Sequence, residues 1–148
     1  MEEIKRNQDL MKNNITISAI GAGSWGTALA LLLAGKGYGV RLWGHSPEHV
    51  DKLIRDRENK KYLPGNTFPE NLLAVHHLEQ ALQGSSIIVM AVPSHAYRQV
   101  FVQMMPYLQQ NSKIVSAVKG IENNKFVRSL VKKRREFWVL SCWDAVMC

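Results

Sequence analysis

A chain of 148 residues, 46% of them hydrophobic, has the size and composition of one globular domain, which excludes global disorder. Its net charge of +7 is compatible with an anionic ligand, but the basic residues are scattered except for Lys132-Lys133-Arg134-Arg135. That run reads as a solvated helix end or tail, so no nucleic-acid partner is expected; nor does any stretch reach the ~18 apolar residues a membrane span requires.

Residues 1–14, MEEIKRNQDLMKNN, are charged and polar and read as a flexible leader. They lack the apolar core of a signal peptide, which points to a cytoplasmic protein. A short apolar strand follows over 15–20 and runs into Gly21-Ala22-Gly23-Ser24-Trp25-Gly26. In this GxGxxG pattern Gly21 permits a tight turn and Gly23 lets a pyrophosphate approach the backbone. Gly26 brings the next helix close to the strand. Unpaired N–H groups at the helix start favour an anion. The apolar stretch TALALLLA over 27–34 supplies that helix, and Gly35, Gly37 and Gly39 end it.

A strand is expected over 40–43, then a helix capped by Ser46, opened by Pro47 and continuing over 49–57. Residues 59–71, with Pro64, Gly65 and Pro69, read as an ordered loop. Strand 72–75 and helix 78–82 follow. The continuous apolar run over 86–92 has the character of a parallel strand buried on both faces. Ser94 is expected to cap a helix over 95–109, shortened or kinked by Pro106, and 113–118 is the last clear strand. This alternation predicts an α/β, Rossmann-like doubly wound parallel sheet of order 3-2-1-4-5. Ligands then bind beyond the carboxyl ends of the strands, at loops 21–26, 44–46, 93–95 and 119–122.

The end of the second strand reads Leu42-Trp43-Gly44-His45-Ser46, with no carboxylate before Glu48. The Asp or Glu that commonly accepts from an adenosine 2′-hydroxyl is missing there. His45 is either a donor to a 2′-phosphate or simply a loop residue. His95 is either an acid–base group or a structural residue at a helix start. Lys119 follows a buried strand and precedes Gly120, where its charge either meets a phosphate or carbonyl oxygen or is only surface charge. Trp43, Tyr62 and Phe68 read as packing. His76-His77, Cys142 and Cys148 have no metal-ligand spacing.

GAGSWGTALA (21–30), VRLWGHSPEHV (40–50), Asn59 with YLPGNTFPENL (62–72), AVPSHA (91–96) and KGIE (119–122) resemble, in order and spacing, the bacterial NAD(P)-dependent glycerol-3-phosphate dehydrogenases. The resemblance implies NADP or NAD as cofactor. The family reaction is exchange of a hydride between that cofactor and sn-glycerol 3-phosphate or dihydroxyacetone phosphate, for glycerophospholipid synthesis. It implies cofactor contacts at Gly21, Gly23, Ser24, Trp25, Gly26 and His45, with Lys119 touching both cofactor and substrate, and a homodimer of the full-length parent. Family members continue into a helical substrate domain that carries the catalytic lysine. No residue here matches that lysine, so no catalytic residue is assigned. The expected division is a dinucleotide-binding domain over 15–124 and an atypical basic tail over 125–148, consistent with a truncation or frameshift. Such a chain is expected to bind cofactor but to be catalytically incomplete. The alternative is a stand-alone, non-enzymatic nucleotide-binding module.

Overall fold

In the computed structural model, which describes residues 15–118 and 138–141, six strands pair edge to edge in the order β3-β2-β1-β4-β5-β6. They are β1 (Thr16–Ile20), β2 (Gly39–Trp43), β3 (Leu72–Val75), β4 (Ser85–Met90), β5 (Lys113–Ser116) and β6 (Trp138–Ser141). Every pairing is parallel. Ile20 registers with both Trp43 and Met90, Trp43 with Val75, and Met90 with Ser116. The carboxyl ends of these strands therefore form one row. The helices are α1 (Ser24–Gly35), α2 (Pro47–Asp56), α3 (Leu78–Leu82) and α4 (Ser94–Met104), with a 3-10 turn at Met105–Tyr107.

Successive strand residues face opposite sides of a sheet, and here they divide the core in two. Ala19, Val40, Leu42 and Leu72 face Ala30 and Ala34 of α1 and Leu53 of α2. Ile20, Trp43, Ile88, Met90 and Ile114 face Ala81 and Leu82 of α3 and Val100 and Met104 of α4. Crossovers on opposite faces diverge at β1 and β4, and this leaves a crevice at their carboxyl ends.

Local chemistry sets the element ends. Gly37, at φ +91°, closes α1: its N–H donates to Ala34 O at 2.9 Å, and Tyr38 N–H to Leu33 O at 3.3 Å. Ser46 caps α2 by accepting from His49 N–H at 3.3 Å, with Pro47 first in the helix. Arg41 reaches from β2 to the last turn of α3, donating to Gln80 O at 2.8 Å and also to Gln83 O. Asn71 donates to Ala34 O and to Tyr38 O, both at 2.8 Å.

The strand order 3-2-1-4-5 is as the sequence predicts, with β6 added beside β5 from within residues 125–148. Several local expectations change, among them the last predicted strand, expected over 113–118, which ends at Ser116. β4 ends at Met90: Ala91 N–H makes one last bond to Ile20 O at 2.8 Å before Pro93, which has no N–H, turns the chain toward the next helix. Ser94 is the first residue of α4; Pro93 holds the cap position, and no side chain caps the helix. The helix expected to reach 109 stops at Met104, where Pro106, lacking an N–H, tightens the chain into the 3-10 turn.

Leu42 of β2, fully buried in the layer with α1 and α2, tests this core. Leu42→Ala is expected to lower the unfolding free energy by about 2–5 kcal/mol, measured by urea titration of circular dichroism.

Candidate functional site

The carboxyl ends of β1, β2 and β4 converge on residues 21–26. Gly21 N–H donates to Trp43 O at 2.9 Å, extending the sheet by one step before the chain turns. Gly21 has φ +118°, and a β-carbon there would lie 2.8 Å from the carbonyl carbon and oxygen of Ala91. Both conformation and space require glycine. A β-carbon on Gly26 would lie 1.7 Å from Gly21 O, so α1 can start against the strand only because Gly26 has none. Gly44, at the end of β2, is under less demand: an added β-carbon would come within 3.0 Å of the Val50 side chain and 3.1 Å of the Ala22 side chain.

Gly23 is different. Its φ is −79°, which any residue can adopt, and a β-carbon there would meet no protein atom within 4 Å. Nothing in the fold asks for glycine at this position, and the space beside it is open. Gly23 also caps α1 without a side-chain hydrogen bond, and the first turn of α1 holds no acidic residue. A bare helix N-terminus next to open space suits an anion that must approach the backbone closely. The pyrophosphate of a dinucleotide fits these features.

Ser24 and Trp25, in the first turn of α1, are both exposed. The Trp25 indole N–H donates to Ala117 O at 3.0 Å, so this side chain spans the crevice from α1 to the chain leaving β5. Lys119 lies two positions beyond Ala117, outside the described residues. His45 is exposed just past β2, its ring edge-on to Trp43 at 6.4 Å. Glu48, the first carboxylate after β2, accepts from Ser46 Oγ at 2.7 Å. That bond, then the backbone at Glu48, holds its carboxyl below the usual range. His95 is exposed in the first turn of α4. Tyr97, two residues further, bonds the buried Ser116 at the end of β5, and burial raises its phenol above the ordinary value.

Sequence patterns gave no structural role to Asn59, which is fully buried. Its Nδ2 donates to Ala22 O at 3.1 Å and to Thr27 Oγ1 at 2.8 Å, joining the glycine loop to α1. An uncharged polar residue between charged neighbours and the YLPG turn was the available signal. Trp43 and Phe68 are buried as expected, whereas Tyr62 is exposed and packs edge-on against His49 at 5.2 Å. Among the described residues, no His, Cys, Asp or Glu cluster is placed to hold a metal ion, and no helix is long and apolar enough to cross a membrane.

The sequence matches the family model for the NAD-dependent glycerol-3-phosphate dehydrogenase N-terminus over residues 16–136. It is 57% identical over 114 residues to a glycerol-3-phosphate dehydrogenase [NAD(P)+] of Desulfotalea psychrophila, covering 76% of this chain and 34% of that protein. A namesake from Bartonella tribocorum is 46% identical over 121 residues, covering 80% and 36%. Among solved structures, glycerol-3-phosphate dehydrogenase of Coxiella burnetii superposes with a TM-score of 0.71 at 42% identity, over 74% of this chain and 34% of that one. The chain thus spans about a third of the length of the curated relatives it matches.

The two glycines separate fold from site. Gly26→Ala is expected to cost at least about 3 kcal/mol, since its new methyl group would overlap backbone. Gly23→Ala is expected to cost about 1 kcal/mol or less, as a change of cap residue alone. Urea unfolding of the two variants checks both values.

Proposed function

The chain belongs to the NAD-dependent glycerol-3-phosphate dehydrogenase family, and on that premise we propose that it is the cofactor-binding part of such an enzyme, binding NADP or NAD at residues 21–26. The observation that carries this reading is Gly23: an unstrained glycine beside open space, on an uncapped helix start. Gly21, Ser24, Trp25 and Gly26 complete the cradle. His45 donates to a 2′-phosphate where present, and Glu48, tied to Ser46, leaves that position without a free carboxylate. Lys119 contacts both cofactor and substrate.

The dinucleotide-binding domain comprises residues 15–124, preceded by a leader over 1–14 and followed by a basic segment over 125–148. The parent enzyme interconverts sn-glycerol 3-phosphate and dihydroxyacetone phosphate in the cytoplasm, as a homodimer. The bound nicotinamide supplies or accepts the hydride. This chain orients the pyrophosphate and the ribose, and an acid–base lysine acts from the region that relatives carry beyond the matched third. General acid–base help is worth about two to four powers of ten in rate, so the chain alone is expected to turn over at least that much more slowly than a full-length relative.

Calorimetric titration of the 148-residue chain with NADP+ and with NAD+ tests the reading. Saturable binding of at least one cofactor is expected, weakened by about tenfold or more in Gly23→Ala, where a methyl group fills the phosphate space. His45→Ala is expected to weaken NADP+ by about tenfold and leave NAD+ unchanged. Absence of binding to either cofactor by the folded chain would overturn the proposal.

A further inference from the structure

We infer that Asn59 is a positioning residue that aims the Gly23 N–H at the cofactor phosphates, an inference that rests on the cofactor reading above. Asn59 is fully buried and its side chain is fully engaged. Both Nδ2 hydrogens are used, on Ala22 O at 3.1 Å and Thr27 Oγ1 at 2.8 Å, while Oδ1 accepts from Tyr62 N–H at 3.2 Å. Leu63 N–H donates to the backbone oxygen of Asn59 at 2.8 Å, closing the turn that carries it. The Ala22 oxygen has a second neighbour, His49 Nε2 at 3.2 Å, and the His49 ring is packed by Tyr62 from the same turn.

The geometry of one peptide gives this clamp its meaning. A trans peptide is planar, with its C=O and the following N–H pointing in opposite directions. Drawing the Ala22 oxygen inward onto Asn59 and His49 turns the Gly23 N–H the opposite way, away from these two side chains. Glycine is permissive, so the sequence at 23 does not itself hold this orientation. The opposite orientation would present a carbonyl oxygen, not a donor, to an anion. Only a side chain with donors fits at 59, because both Ala22 O and the Tyr62-capped end fix which way its amide points. Aspartate has the same shape and lacks that donor when ionised.

The test uses the 148-residue chain, 15N-labelled, with Asn59→Asp and His49→Phe; the latter keeps a ring against Tyr62 and removes one donor to Ala22 O. Asn59→Asp is expected to move the Gly23 amide resonance in the ligand-free chain, leave sheet amides in place, and weaken NADP+ by about tenfold near neutral pH. The introduced carboxyl is buried beside a carbonyl oxygen, which raises its pKa, and once protonated it again donates. The affinity deficit relative to the unaltered chain, compared at each pH so that effects common to both proteins cancel, should therefore shrink as pH falls from about 8 to about 5. His49→Phe is expected to move the same resonance and weaken NADP+ by about threefold. Should Asn59→Asp fail to fold, His49→Phe decides. An unmoved Gly23 resonance, or unchanged affinity in a folded variant, overturns the inference. If the unaltered chain takes up no NADP+, the cofactor reading fails, and the ligand-free Gly23 resonance still decides whether the clamp exists.

Discussion

A β-carbon on Gly26 would sit 1.7 Å from the carbonyl oxygen of Gly21, and the near-contact of helix and strand at this point positions much of the molecule. It starts α1 directly above the end of β1. Once the helix begins so close, its buried residues must be small where it crosses the sheet. Thr27, Ala30 and Ala34 are the buried residues that follow Gly26, and Ala19 faces them from β1. Larger side chains, Leu42, Leu53, Phe68 and Leu72, fill the rest of this layer. The opposite face has no such glycine contact and is filled by bulkier residues: Ile20, Trp43, Ile88, Met90 and Met104.

The same contact places the start of α1 at the row formed by the strand ends, where strands with oppositely directed crossovers lie side by side. Backbone bonds carry the row past the strands themselves: Gly21 to Trp43, Ala91 to Ile20 and Ala117 to Met90. The floor of the crevice is therefore peptide held by the sheet. Trp25, bonded to Ala117, crosses above it and ties the chain after β5 to the helix start. Precision at the site comes from main-chain hydrogen bonding, and the exposed side chains, Ser24, Trp25, His45 and His95, stand on a rigid base.

Features governed by near neighbours in sequence were legible in the chain. Ser46-Pro47 announces the start of α2, and the β3 and α3 limits follow from apolar spacing and flanking polar residues. Gly26 was legible as the close-packing glycine of a strand–helix turn, and Gly21 as its turn glycine, although the atoms that crowd Gly21 belong to distant Ala91. Asn59 was not legible structurally: its acceptors at Ala22 and Thr27 lie 37 and 32 residues away, and nothing local specifies them. The same holds for β6, whose pairing with β5 depends on a partner strand rather than on its own four residues. The cap of α4 was misplaced by one residue because serine is the commoner cap, while Pro93 already has the extended geometry the position needs.

The loop between Asn59 and Asn71 has no regular structure of its own, yet it is fastened to α1 at both ends. Asn59 reaches Thr27 in the first turn, and Asn71 reaches Ala34 in the last and Tyr38 just beyond. A helix of this size is about 18 Å long, so the loop acts as a ruler laid along it. Surface connections usually tolerate added or lost residues because only their ends matter. Here both ends are fixed to one helix, and the bridge between Glu58 and Thr67 closes the turn between them. Added residues would therefore have to be absorbed inside that turn, leaving the spacing of the two amides along the helix unchanged.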